Sequence, residues 1–206
     1  MKVLLVNGSP REKGCTYTAL TEVAGALEKN DIITEIFHIG LGPFYGCTAC
    51  HNCTSLGMCI HDEDPCNRLV EKVRLADGLI LGSPVYFAGA NGAFCALLDR
   101  AFYSQREAFA GKPGAAVVSC RRGGAESAFD RLNKYFTISQ MPVVSSQYWN
   151  AVHGNTPDDV KQDKEGLQIM RTLGNRMAWL LKSLAVAKSS VQLPPPEERI
   201  NTNFIR

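Results

Sequence analysis

The feature that most constrains the fold is a short, unbroken apolar run that recurs along the chain, stopped each time by a turn and followed by a helical pattern. Lys2 to Val6 includes β-branched residues and breaks at Asn7-Gly8-Ser9-Pro10, ahead of a helical stretch from Thr16 to Glu28. Gly78 to Gly82 ends in Ser83-Pro84, and Gly114 to Ser119 leads to Arg121-Arg122-Gly123-Gly124. Runs of this length without alternation suit strands buried on both faces of a parallel sheet. Ile32 to Ile39 alternates and reads as a second strand, and Pro142 to Ser146 reads as a fifth. Helices are expected over Asn67 to Ala76, Ala93 to Tyr103, Glu126 to Phe136 and, as one long element, about Asp159 to Lys188. In the last of these, Met170, Leu173, Met177, Leu180, Leu181 and Leu184 form a stripe expected to face the core.

Five strands alternating with helices predict an α/β, doubly wound parallel sheet of order 2-1-3-4-5 with right-handed crossovers. One domain is expected over residues 1–190, with a Cys-rich loop at 42–64 and a tail at 191–206. Pro194-Pro195-Pro196 stops regular structure, and the end from Glu197 to Arg206, carrying Phe204 and Ile205, is expected to be frayed or docked on a neighbour. The chain has 206 residues, 22 basic and 20 acidic, for a formal charge of +2, and no basic block. That balance argues against nucleic acid or an anionic membrane as partner. The opening MKVLLVNGSP reaches Gly and Pro too soon for a signal peptide or a spanning helix, so a cytoplasmic location is expected.

In such a sheet, ligands bind beyond the carboxyl ends of the strands, at the switch point between the first and third. After the first strand comes Gly8-Ser9-Pro10-Arg11-Glu12-Lys13-Gly14-Cys15-Thr16. Free amides at a helix start, the helix dipole, the Ser9 and Thr16 hydroxyls and the Arg11 guanidinium suit a phosphate. The Gly-Lys-Ser/Thr ending of a nucleotide-triphosphate loop and the dinucleotide glycine spacing are both missing, so a monophosphate fits best. An ordinary strand-to-helix turn is the competing reading. After the third strand, Ser83-Pro84-Val85-Tyr86-Phe87-Ala88-Gly89 offers backbone donors and aromatic surface to a flat heterocycle, although Tyr86 and Phe87 taken alone read as core residues.

Four of the eight cysteines, Cys47, Cys50, Cys53 and Cys59, lie on one loop in which Gly57 lets the chain fold back. Four soft ligands suit iron-sulfur; zinc competes, although three ligands at two-residue gaps crowd a tetrahedron. Packing or thiol chemistry without metal is the third reading. Surface positions are expected for His51 and His61, a buried helical thiol for Cys66, and an exposed helix start for Asp62, Glu63 and Asp64.

Taken together and in order, Gly8-Ser9-Pro10-Arg11, the Cys loop, Asp77-Gly78, Gly82-Ser83-Pro84-Val85-Tyr86, Leu98-Asp99-Arg100 and Gly123-Gly124 resemble the NAD(P)H-dependent FMN reductase family. The pattern of the flavodoxin-like iron-sulfur flavoproteins is the nearest within it. The resemblance implies FMN, with phosphate contacts from Ser9, Arg11, Cys15 and Thr16. It implies ring contacts from Pro84, Val85, Tyr86, Phe87 and Gly89 and from Ser119, Arg121, Gly123 and Gly124. It also implies one 4Fe-4S cluster on Cys47, Cys50, Cys53 and Cys59. Two positions depart from it: Cys15 stands where Asn or Ser is usual, and Cys95 where many members have Lys.

The activity implied is an oxidoreductase that moves electrons from NAD(P)H or reduced ferredoxin to a small acceptor such as a quinone, nitro or azo compound. No side chain announces itself as acid or base; Tyr86 and the loop backbone would shape the flavin's face. The alternatives are a non-enzymatic flavin electron carrier, which near-neutral charge disfavours, and an FMN-only reductase whose Cys loop holds no cluster. Self-association as a homodimer or homotetramer is expected from the open crevice, the Cys loop and the apolar-ended tail.

Overall fold

The continuous apolar runs become the central strands of the sheet. The structure is a computed structural model that describes residues 1–192, 194, 195, 197, 198, 200–202 and 204. Its elements are β1 (Lys2–Asn7), α1 (Cys15–Glu28), β2 (Ile33–His38), α2 (Cys53–Leu56), α3 (Cys66–Arg74), β3 (Gly78–Tyr86), β4 (Gly89–Ala90) and α4 (Gly92–Ser104), followed by β5 (Gly114–Cys120), α5 (Ala125–Ile138), β6 (Ala151–His153), α6 (Pro157–Gln162) and α7 (Lys164–Ala187). Five strands run parallel in the order β2-β1-β3-β5-β6, and β4 turns back antiparallel on the end of β3. This is the expected doubly wound order.

Side-chain alternation along the buried strands builds two cores. Leu4, Val6, Leu79 and Leu81 point to one face, where they meet Leu69 of α3, Phe94 and Leu97 of α4 and Phe136 of α5. Val3, Leu5, Ile80 and Val117 point to the other, against Leu20 and Val23 of α1 and Leu173 and Met177 of α7. Each fully buried side chain of this kind contributes roughly 1.5–3 kcal/mol relative to exposure. Met170 and Leu181 complete the α7 stripe, whereas Leu180 is half-buried and Leu184 is exposed, because α7 runs past the sheet before it ends.

Three expectations are corrected. The fifth strand does not lie at Pro142 to Ser146. That segment touches β5 only at its start, where the Gly114 amide donates to Pro142 O and the Val144 amide to Gly114 O. The chain then swings out and returns at Ala151–His153, paired with Val118, Ser119 and Cys120. The excursion is tied to α7 by hydrogen bonds from Ser146 Oγ to Ile169 O and from Thr172 Oγ1 to Gln147 Oε1.

The long last helix is two helices. A Thr156–Asp159 capping box with Pro157 starts α6, and Asp163 interrupts the run. Its Oδ1 accepts the Gly166 amide, capping α7, while Oδ2 accepts the amide of His153 at 2.7 Å. One carboxylate thus starts the helix and holds the edge strand.

The third strand runs on through Ser83-Pro84-Val85-Tyr86, so the expected ring loop is a strand end plus a tight hairpin. The described residues from 191 onward carry no regular structure; Phe204 is exposed, and Pro196 and Ile205 lie outside the described residues. No helix among the described residues is long and apolar enough to cross a membrane.

Candidate functional site

Three loops meet beyond the carboxyl ends of β1, β3 and β5, and specific bonds hold them together. The Gly8 amide donates to Gly82 O at 2.8 Å, joining the first loop to β3. Gly8 sits so close to Phe94 of α4 that an added Cβ would lie 2.2 Å from its ring. Asn91, buried at the start of α4, is the central fastener. Its Nδ2 donates to Gly8 O, its backbone amide donates to Ser83 Oγ, and its Oδ1 accepts the Ala93 amide as the N-cap. Nothing in the local pattern singled out Asn91, although Asn ahead of a helical run is an N-cap signal.

The first loop ends at the N-terminus of α1, where Gly14 provides no side-chain cap. Thr18 is the first residue whose amide bonds back, to Gly14 O, so the amides of Cys15, Thr16 and Tyr17 have no intrahelical acceptor. Three free amides at a positive helix end are the chemistry a phosphomonoester requires. Buried Ser9 accepts the Arg11 amide on Oγ, which leaves its hydroxyl proton to donate, and His38 at the end of β2 bonds Ser9 O at 2.8 Å. Arg11 itself is exposed.

Thr16 and Ser119 face each other, Oγ1 to Oγ at 2.9 Å, both buried, and so lock α1 to β5. Cys15 turns its thiol to Gly154 O at 3.7 Å, and burial pushes that thiol's pKa up, which favours the neutral form at the N-terminus of α1.

The ring loop is a hairpin in which Val85 pairs with Ala90 and Tyr86 with Gly89. Its two-residue turn, Phe87-Ala88, has φ of +50° and +58°, left-handed values that usually call for Gly or Asn. Tyr86 and Phe87 are not core residues: they are 47% and 107% exposed. Backbone strain and bare aromatic surface coincide at the place where a flat ring would be held. Pro84, Val85 and Gly89 are half-buried beneath it.

The third loop reaches the hairpin through Gly124, which has φ +86° and begins α5 without a side-chain cap. A Cβ there would lie 2.7 Å from Ala88 Cα. Arg121 and Gly123 are exposed beside it. Among the described residues these three loops fit a phosphate-bearing flat cofactor: amides and hydroxyls at one end, aromatic and backbone surface at the other.

Beside this loop is a cavity of about 190 Å³ between the start of α5 and the start of α7. The excursion after Val144 turns Tyr148 and Trp149 into it, with Phe129 and the carboxylates of Glu126, Asp163 and Glu165; no Lys or Arg lines it.

The Cys loop packs at the far end of α4. Cys47, Cys50, Cys53 and Cys59 line one pocket with His51, His61, Arg100 and Tyr103. Cys53 begins the single turn of α2, and Gly57, at φ +66°, reverses the chain toward Cys59 as expected. Buried Asn67 brackets Cys59, its Oδ1 accepting the Cys59 amide and its Nδ2 donating to Cys59 O. Ala49 and His51, at φ +52° and +58°, bend the chain on either side of Cys50. The Asn52 amide lowers the Cys50 thiol's pKa by hydrogen bonding, favouring the thiolate form that binds metal.

As they stand, no three His, Cys, Asp or Glu side chains among the described residues converge on a single ion. The four thiols instead surround a pocket. Two buried nitrogens beside it, Arg100 Nε and His61 Nε2, have no hydrogen-bond partner. Four thiols lining one small pocket, with these two nitrogens beside it, supply the soft donors that an iron-sulfur centre or a zinc ion takes.

Three further expectations in this loop are decided. His51 is exposed, but His61 is half-buried and stacks on Tyr45 at 4.7 Å between ring centroids. Cys66 is buried, and burial pushes its thiol up to about 12. Asp62 and Glu63 are exposed as expected, whereas Asp64 is not: it is buried in an ion pair with Arg100 and accepts the amides of Tyr45 and Cys66.

The sheet order and the crevice at its switch point define a flavodoxin-like protein. The chain is similar over its whole length to the solved structure of RosB with a bound 8-demethyl-8-formylriboflavin-5'-phosphate intermediate, at 17% identity and TM-score 0.71, covering 100% of this chain and 94% of that one. It is also similar to a flavodoxin from the domain Archaea, at 15% identity and TM-score 0.61, covering 88% and 99%. The family model of NADPH-dependent FMN reductases matches residues 1–156, and the chain belongs to that family. Within it, the chain is 34% identical over 194 residues to an iron-sulfur flavoprotein of Methanocaldococcus jannaschii, covering 88% of this chain and 98% of that protein. It is 27% identical over 186 residues to an iron-sulfur flavoprotein of Methanosarcina thermophila, covering 88% and 96%.

Proposed function

We propose that this chain is an FMN-dependent oxidoreductase that passes electrons from NAD(P)H or reduced ferredoxin to a small acceptor, with a 4Fe-4S cluster in its Cys loop. The observation that carries the reading is the pairing of two built sites on one helix: Asn91 fastens the flavin crevice at the start of α4, and Arg100 reaches the cysteine pocket from its third turn. Nine helical steps set them about 14 Å apart along the axis.

Bound FMN would supply hydride acceptance and single-electron release, and a cluster would supply one-electron storage. The chain's own residues do the rest. The amides of Cys15, Thr16 and Tyr17, with Ser9 and Arg11, hold the phosphate. The hairpin from Pro84 to Gly89 and the loop from Arg121 to Gly124 orient the ring. The relatives named iron-sulfur flavoproteins support the cluster on Cys47, Cys50, Cys53 and Cys59.

The cavity beside Gly124 favours an enzyme over a carrier without a substrate pocket of its own. Self-association belongs to the same reading, because Leu41, Leu56, Met58 and Ile60 around the Cys loop and Phe87 at the hairpin are left exposed. Monomeric sedimentation at micromolar concentration would count against it. The deciding test is the anaerobic spectrum of freshly purified protein, with FMN, iron and acid-labile sulfide assayed and NADH and NADPH offered in turn. Flavin with stoichiometric iron and sulfide supports the two-centre protein; flavin alone favours an FMN-only reductase; failure to take up FMN removes the reading.

A further inference from the structure

We propose that Arg100 is a positioning residue for the cysteine site, holding Cys59 and raising the reduction potential of the cluster through N–H···S donation. The inference rests on the reading that the Cys loop binds a 4Fe-4S cluster. Arg100 is the largest fully buried side chain of the described residues. A buried guanidinium is costly unless every donor is used. Here Nη2 pairs with Asp64, while Nη1 donates to Cys59 Sγ at 3.4 Å and to His61 O at 3.1 Å.

Nε, also buried, has no partner. If Arg100 served only to join α4 to the loop, Asp64 alone would satisfy its charge and the remaining donors would be expected to find oxygen acceptors. Nη1 does find one, His61 O, but shares itself with the Cys59 sulfur, and Nε finds none; Arg100 is the one Lys or Arg among the residues that line the pocket of the four cysteines.

A fixed positive charge and an N–H donor at a ligating sulfur stabilise the more negative, reduced form of an iron-sulfur centre, which raises its potential. The planar fork allows Arg100 to bond Asp64 and Cys59 at once; a lysine, a point charge on a flexible stem, cannot span both with the same geometry. Asn67 fixes the backbone of the same residue, so Cys59 is held at both its main chain and its sulfur. None of the other three thiols makes a hydrogen bond to a charged side chain among the described residues.

The test uses the full-length protein purified anaerobically, with iron and sulfide assayed first. Wild-type protein that holds FMN but neither iron nor sulfide defeats the cluster reading and takes this inference with it. With the cluster present, pulsed EPR of the reduced wild-type protein labelled with 15N-arginine is expected to show hyperfine coupling from an arginine nitrogen. That measurement does not depend on any variant folding. In an EPR-monitored titration, Arg100→Lys is expected to shift the cluster midpoint to lower potential while the FMN midpoint stays unchanged. Absence of arginine coupling in the wild type, or an Arg100→Lys cluster at the wild-type potential, overturns the role of Arg100 and leaves the cluster reading intact.

Discussion

The Arg100 guanidinium and the Asp64 carboxylate, each with a side chain about 1% exposed, form an ion pair that binds α4 to the end of the Cys loop. Burial works to raise the Asp64 pKa, but the hydrogen bond from Arg100 and the amides of Cys66 and Tyr45 outweigh it and hold the carboxyl below the ordinary range. Removing one partner leaves a buried, unpaired charge, so Asp64→Asn should cost about 3–5 kcal/mol near neutral pH. A depressed folded value means that the stabilisation is complete above the unfolded pKa of about 3.9 and fades as pH falls through the folded one. Urea unfolding of both proteins across pH should therefore show the gap between them closing below about pH 4. A gap that stays constant into acid would show that the pair is not what stabilises this junction.

Asn91 combines a helix cap with the only side-chain bond to the Gly8 carbonyl among the described residues. Asn91→Ala should cost about 2–4 kcal/mol, from the lost cap and a buried carbonyl left without its donor. Asn91→Ser should recover about 1 kcal/mol by restoring the cap alone. Thermal denaturation of the three proteins separates the two contributions, and equal stabilities of the Ala and Ser variants would show that the cap carries little.

Gly124 is needed both for its φ of +86° and for the 2.7 Å approach of its Cβ position to Ala88 Cα. Gly124→Ala should push the hairpin away from the third loop and weaken FMN binding about tenfold, the equivalent of about 1.4 kcal/mol. Gly123→Ala, with open space around its Cβ position, is the control and should leave binding within a factor of about two. Titration of the quenching of flavin fluorescence measures both.

The cavity beside α5 offers aromatic surface and the carboxylates of Glu126, Asp163 and Glu165 without a compensating Lys or Arg. Cationic or neutral aromatic acceptors should be turned over with higher kcat/KM than sulfonated analogues of similar size. Glu126→Gln with Glu165→Gln should narrow that preference about fivefold, as expected for a charge effect on the order of 1 kcal/mol in a water-accessible site. Identical kcat/KM ratios before and after would place the acceptor elsewhere.

The central strands and the crevice were legible because hydrophobic periodicity is a local property. Lys2 to Val6, Gly78 to Gly82 and Gly114 to Ser119 could be buried on both faces only in a parallel sheet, and the turns after them had to lie where ligands bind. The four cysteines were equally plain, since their spacing is written within one loop. What local patterns could not show was competition for a place in the fold. Pro142 to Ser146 has the apolar, β-branched look of a strand, yet α7 draws the following residues outward and Asn150 to His153 completes the edge. The helix from Asp159 was broken by Asp163 for the sake of a cap and a strand amide.

The sequence by itself determined the order of the sheet, the loop between the first strand and its helix, and the cysteine set, because short-range spacing and burial specify them. Only the tertiary structure decided that Asp64, which reads as an exposed helix start, is buried against Arg100, and that Thr16 meets Ser119. Those partners lie 36 and 103 residues apart, and no local pattern links residues that only the closed sheet brings within hydrogen-bond reach.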